Sequence, residues 1–237
     1  MGLVWGLEWR RALRRRRLLL LNVVVPLALV VPLTLSSAPA QHAGAVYAVL
    51  FVLFGTFGSA IPLVREAESG LLLRMGLAGV ATPALVAGKA AAGAALDMVQ
   101  LLPSLLVILW AGTADGAMVA RTAIFLLVAL LVANVLGVWV AAVARSLAES
   151  ALFAAVVSLF LLHAAGVFRT PSQGTIAATF ERLAPFRPLH EALVEVIGGP
   201  SSAAATAPAV AVGVLAVAGS IAAAPLLVSW LLAVERS

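Results

Sequence analysis

Asn22, Ser59, Asp97, Gln100, Asn134, Ser158 and His163 stand inside long apolar runs that hold little other polarity. Each residue type limits the chemistry on offer. Peptide-bond cleavage would use Ser59 with His163. Gly58-Ser59-Ala60 is not the Gly-x-Ser-x-Gly turn that presents a nucleophile, however, and a Gly-Ser pair also suits close helix packing. A lone histidine is not a metal site. The chain has no cysteine, which removes disulfides, thiolate metal ligands and cysteine nucleophiles. Nucleotide hydrolysis would need a phosphate loop, but Gly88-Lys89 is followed by Ala90, and Pro83 stands where the loop's first glycine belongs. No catalytic residue and no metal ligand is assigned. Asp97, Gln100, Asn134 and His163 remain as polar groups at depth, which either line a pathway or bond helix to helix.

Those groups need spans to hold them, and composition supplies the spans. Hydrophobic residues make up 63% of the chain and charged ones 11%, against roughly 25% charged in a soluble domain. The fold class is all-α: a polytopic membrane protein with six transmembrane helices. The spans are expected at about 18–36, 43–64, 89–112, 120–144, 149–168 and 207–234, each near the ~20 apolar residues that cross a bilayer. The whole chain, 1–237, reads as one transmembrane domain. Asp97 then lies roughly 12 Å inward from Lys89, at 1.5 Å per residue, and Asn134 lies at comparable depth from Arg145.

Orientation follows from the basic residues. With the N-terminus inside, the cytoplasmic face holds Arg10, Arg11, Arg14–Arg17, Arg65, Arg74, Lys89, Arg145 and Arg236, and the outer face only Arg121, Arg169, Arg182 and Arg187. Both termini are expected in the cytoplasm. Trp110 and Tyr47 then mark the outer boundary, Trp139 and Trp230 the inner one. The arginines before the first span read as lipid-headgroup anchors, with no aromatic or basic surface elsewhere to support nucleic acid. Ala38-Pro39-Ala40 looks like a secretory cleavage site, but the preceding apolar run exceeds the ~7–15 residues of a signal core, so the first span is expected to stay uncleaved.

Residues 2–16 read as an interfacial helix, with Trp5, Trp9, Ala12 and Leu13 on one stripe and Glu8, Arg11, Arg14 and Arg15 opposite. Two connections exceed tight turns. The cytoplasmic one, 65–88, carries Arg65, Glu66, Glu68 and Arg74 and a Thr82-Pro83 break; the outer one, 169–206, carries a short helix opened by Pro188 and stopped by Gly198-Gly199. Ile176, Phe180 and Leu183 form a second outer segment laid on the membrane surface. A small face of Ala151, Ala154, Ala155 and Ser158 on the fifth span favours close helix approach.

The cytoplasmic connection resembles that of the ABC-2 type transporter permeases. Their pattern after the second span is Glu-Arg-Glu-x-Gly-Thr-Leu, with a Gly-Lys opening the third. Glu66, Glu68, Gly70, Leu72, Gly88 and Lys89 match it, while Ala67 replaces the arginine, Leu71 the threonine, and Gly79–Thr82 the proline-led step. The basic N-terminal helix, six spans and outer hairpin extend the resemblance along the chain. It implies a permease subunit of an ATP-driven exporter, paired with a second permease subunit and docked on a separate ATP-binding-cassette ATPase, which would hold the ATP and Mg; this chain would bind no cofactor. Arg65, Glu66, Glu68, Gly70, Leu72, Arg74 and Lys89 would couple to the ATPase, with Leu71–Leu73 and Met75 filling its groove. Trp5, Trp9, Arg11 and Arg14 of the interfacial helix would make the second contact. The expected cargo is a lipophilic or amphiphilic small molecule, drug- or antibiotic-like. A lipid, polysaccharide or haem permease is the alternative within the family, and a non-transporting scaffold or sensor the alternative outside it. Alanine- and arginine-rich usage points to the cytoplasmic membrane of a bacterium.

Overall fold

The computed structural model describes residues 2–112, 114–168, 174–198 and 206–233, and among them every regular element is a helix. In chain order these are α1 (Gly2–Arg14), α2 (Arg16–Leu35), α3 (Ala40–Glu68), α4 (Leu71–Leu77), α5 (Thr82–Ala111), α6 (Gly116–Val143), α7 (Leu147–Ala164), α8 (Ile176–Leu183), α9 (Phe186–Gly198), α10 (Thr206–Ala222) and α11 (Ala224–Ala233). The helices α2, α3, α5, α6 and α7 are each long and apolar enough to cross a membrane, and α10 with α11 makes a sixth if the bent pair is one span. Arg169, Arg236 and part of the expected outer connection 169–206 lie outside the described residues.

Helix ends follow from local chemistry. Asp115 and Ser146 each accept a hydrogen bond from the backbone three residues on, Met118 N at 2.8 Å and Glu149 N at 3.2 Å, and so open α6 and α7. Pro83 sits in the first turn of α5, where its missing N–H has no partner to lose. Two left-handed glycines isolate α4: Gly70 (φ 66°) breaks it from α3, and Gly79 (φ 83°) ends it, with Val80 N bonded back to Met75 O at 3.1 Å.

The 65–88 connection is thus shorter than its charge pattern implied. The second span runs on as helix to Glu68 and the third starts at Thr82, so only 69–81 lies between them. Helical hydrogen bonding continues past the apolar run because charged side chains can leave the membrane while the backbone stays bonded to itself. The expected sixth span, 207–234, departs the other way: α10 and α11 meet at 58° across Ala223. Pro225 cannot donate to the carbonyl four residues back, which breaks the helix there. Trp139 Nε1 donates to Ser220 Oγ at 2.8 Å and ties this elbow to α6.

The central helix is α3, packed on α5, α6, α7 and α9. One half of the core gathers Tyr47, Phe51, Leu101, Leu126, Leu130, Phe186, Leu189 and Leu193; the other, beside α1 and α4, gathers Val4, Leu63, Leu72, Met75, Leu85, Val138 and Leu227 and is called the inner core. Tyr47 is wholly buried in the first group, so it is a core residue and not part of an interfacial belt, whereas Trp110 is exposed. The expected small face of α7 also finds its partner within the chain. Ala154 and Ser158 are buried, with Ala154 packed beside Ala60 of α3, and the outward face of α7 carries Leu152, Val156, Leu159 and Phe160. Close approach through small residues joins α7 to its own bundle. The outward faces of α2 and α7 are large and aliphatic, as lipid contact requires.

Candidate functional site

Four charged side chains from three helices meet where the C-terminal end of α3 lies beside the N-terminal part of α5. Lys89 of α5 is ion-paired with both Glu8 of α1 and Glu66 of α3, and Arg11 of α1 is ion-paired with Glu66. Lys89 and Glu66 are buried. Two acids and two bases cancel, which is what allows the group to sit at the edge of an apolar bundle. The approach of α1 is fixed beside it by Val4, which is buried over Gly88; a Cβ there would stand 3.1 Å from the valine side chain. The polar face of α1 therefore meets the chain's own α3 and α5. Trp5, Leu13 and Arg14 lie on its exposed side, and the Trp5 and Trp9 rings lie 6.3 Å apart between centroids, tilted by 41°.

Deeper in the bundle lies a second polar cluster. Asn134 Nδ2 donates to Asp97 Oδ2 at 2.8 Å and to Leu130 O at 2.9 Å, and its Oδ1 accepts from Ser59 Oγ. Asp97, Asn134 and Ser59 are all buried. An aspartate at this depth costs about 2.5–3.5 kcal/mol on insertion scales, so a single amide donor only partly offsets it. Glycines make room for the cluster: a Cβ on Gly58 would stand 2.9 Å from Asp97 Oδ1, and one on Gly93 3.2 Å from Ser59 Oγ.

A cavity of about 740 Å³ joins the two groups. Glu8, Arg11, Glu66 and Lys89 line one end; Ser59, Asp97, Gln100 and Asn22 line the depth; Leu53, Phe54, Phe57 and Leu96 supply apolar wall. Its size falls within the ~300–1,000 Å³ of small-molecule sites, which are likewise mostly apolar with a few convergent polar groups. It passes between α2, α3 and α5 beneath α1.

Of the residues expected to couple to an ATPase, Arg65, Glu68 and Arg74 are exposed, while Glu66, Leu72 and Lys89 are buried and Gly70 forms the turn. Leu72 and Met75 pack into the chain's own inner core, so they anchor α4 and leave Leu73, Arg74 and Leu77 facing outward. Of the expected polar pathway residues, Asp97, Gln100 and Asn134 come together, and His163 stands apart, exposed in the last turn of α7. Sequence reasoning missed Glu8 and the glycines. Glu8 was legible as a lone acid among arginines on the side of the membrane that also holds Glu66 and Lys89.

At the opposite end of the bundle α9 packs on α3 and α6. Arg121 of α6 is ion-paired with Glu195 of α9, and Arg187 links Glu181 (3.0 Å) and Glu191 (2.9 Å). Helix α9 is buried against α3 where Gly44 admits Val194. His190 sits on that contact, its Nε2 3.3 Å from Gln41 O. Desolvation holds the imidazole below its usual range, opposed by the Gln41 carbonyl and the Glu191 charge. A lowered histidine pKa stabilises the fold above the unfolded value of 6.5, and that stability is lost as pH falls through the folded value. His190→Gln is accordingly expected to flatten the acid limb of a melting-temperature profile below pH 6.5, measured in detergent.

These features define a class: a helical, multi-pass integral membrane protein built around a cavity between its spans. The family model of the ABC-2 type transporter matches residues 2–197, and the chain belongs to that family. It is a membrane transport subunit of an ABC transporter, not the ATPase; members of this family work with a partner ATPase subunit. No curated protein matches the chain significantly.

Proposed function

We propose that the chain is the permease subunit of an exporter that moves lipophilic or amphiphilic small molecules out across a bacterial cytoplasmic membrane. Two permease subunits pair, and each docks on a separate ATPase that binds ATP and Mg. The observation that carries the reading is the cavity. It is walled by apolar side chains, opens beside a charged group on the arginine-rich side, and ends in polarity within the bundle. An amphiphile entering from the cytoplasm or the inner leaflet meets surfaces of matching character along that path. The excess of Lys and Arg puts both termini on the cytoplasmic side.

Coupling falls to α4. Its buried Leu72 and Met75 root it in the inner core, so force on Leu73, Arg74 and Leu77 reaches α3 directly and α5 through the core the three helices share. A rigid-body tilt of those helices would open one end of the cavity and close the other. Buried Glu66 and Lys89 act one step behind, holding α1 to the same two helices.

The test is capture of the tagged full chain from its native membrane in mild detergent. A soluble ATPase is expected in equal proportion, with activity stimulated by lipophilic compounds. Arg74→Glu with Leu77→Arg should lower ATPase recovery by about tenfold, the effect of ~1.4 kcal/mol at an interface. The melting temperature should not move, because both side chains are exposed. Undiminished recovery would remove α4 from the docking surface. Recovery of the chain without any ATPase would sink the exporter reading in favour of a scaffold or sensor.

A further inference from the structure

The cavity holds a carboxyl group that no basic side chain among the described residues pairs with. The Asp97 carboxylate lines it and is buried, and its one hydrogen-bond donor is the neutral amide of Asn134. Among the described residues, the ion pairs engage Glu8, Glu66, Glu181, Glu191 and Glu195, and none reaches Asp97. Lys89, the nearest basic residue on the same helix, is engaged with Glu8 and Glu66. Three positions away on α5, Gln100 is buried in the same cavity, and its Oε1 has no hydrogen-bond partner. Gly58 lets the carboxylate lie close against α3, since a Cβ there would stand 2.9 Å from Oδ1. Phe54 and Phe57 of α3 line the cavity beside it.

From this arrangement we infer that the cavity recognises lipophilic organic cations, with Asp97 as counter-ion, the Gln100 carbonyl as second acceptor and the phenylalanine rings as apolar and cation–π contacts. The inference rests on the cavity being the substrate site and narrows the cargo to one charge class. A carboxylate and one amide oxygen give too few ligands for a hard metal ion, which takes six to eight oxygens. A large organic cation needs no such shell. It buries its apolar surface against Leu53, Leu96 and the rings, and places its charge where the bundle lacks one. The charged group at the mouth does not oppose entry, because its two acids and two bases cancel. Arg15 and Arg65 remain there as exposed, solvent-screened charges.

Tetraphenylphosphonium and tetraphenylborate test the inference, because they share a shape and differ in sign. Equilibrium binding of each is measured on the full chain, with the subunits that stay bound to it, in lipid nanodiscs against empty nanodiscs. The phosphonium should bind above background, and Asp97→Asn should weaken it at least tenfold without weakening the borate. Gly58→Ala, whose methyl would displace the Asp97 carboxylate without removing it, should weaken the phosphonium too. A melting curve on each variant identifies any that has simply unfolded, and the conclusion is then drawn from the other. Phosphonium binding at background in the wild-type chain overturns the inference, as does a folded Asp97→Asn variant that binds both ions like the wild type. If the ATPase is captured while cation binding is absent, the exporter reading stands and the cation inference falls. If cations bind but no ATPase is ever captured, the reverse holds.

Discussion

Replacing Lys89 by methionine should lower the melting temperature of the chain more than any other single charge removal. The side chain is buried and ion-paired with Glu8 and Glu66 at once, so its loss leaves two acids facing each other at the edge of an apolar core. Breaking a buried pair by removing one partner costs ~3–5 kcal/mol. Arg11 still meets Glu66, which argues for the lower end, about 3 kcal/mol. At ~2–4 °C per kcal/mol for a chain of this size, the expected fall is ~6–12 °C. Arg11→Ala should cost much less, because its side chain is a third exposed and water replaces part of what is lost. The exchange Glu66→Lys with Lys89→Glu should recover part of the loss, and the double-mutant cycle measures the coupling. Transport should fall along with stability, since the group fastens α1 to the two helices that α4 would drive. A Lys89→Met variant that melts like the wild type would show that the four charges are solvated neighbours and hold nothing together.

The elements of this fold were legible in the sequence because a bilayer permits little else. Long uncharged runs must be helices that satisfy their own backbone, and hydropathy alone located α2, α3, α5, α6 and α7. The boundaries were less legible. The charges at Arg65, Glu66 and Glu68 marked the edge of the apolar run, yet the hydrogen-bonded helix continues through them. The bent sixth span was half visible: Pro225 signalled a kink, but a kink and a break differ by how neighbours receive the freed groups, and Trp139 to Ser220 is a tertiary contact. Of the site, Asp97 and Asn134 stood out as polarity at matched depth, and Gln100 as a further polar group in the same span as Asp97. Which of them would touch depended on helix rotation about the axis, and in spans apolar on every face the hydrophobic pattern does not report rotation. For the same reason the small face of α7 promised a close helix approach without saying that the helix approached would be α3.

Rotation is instead recorded in the glycines, and the second large effect is expected there. Gly137 of α6 faces α3 so closely that a Cβ would stand 2.5 Å from Thr56 O and 2.8 Å from Ser59 Cβ. Backbone cannot swing aside as a side chain can, so Gly137→Ala must push α3 and α6 apart, and overpacking of this kind costs ~1–3 kcal/mol. Gly93→Ala meets Asn134 Oδ1 and Ser59 Oγ instead; the amide must turn, and the bonds that run from Ser59 through Asn134 to Asp97 break with it. Gly137→Ala should therefore lower the melting temperature and the yield of monodisperse protein. Gly93→Ala should lower them as well and alter binding in the cavity. Gly6 and Gly76 have nothing within 4 Å of a built Cβ, so alanine at either should leave the melting temperature unchanged or slightly raised. Thermal shift in detergent across the four variants separates packing from general intolerance of alanine. If Gly137→Ala melts with the Gly6 and Gly76 variants, α3 and α6 are not in register at this contact. The placement of Ser59, and with it the polar floor of the cavity, would then have to be redrawn, because the same two helices present Ser59 and Asn134 to each other.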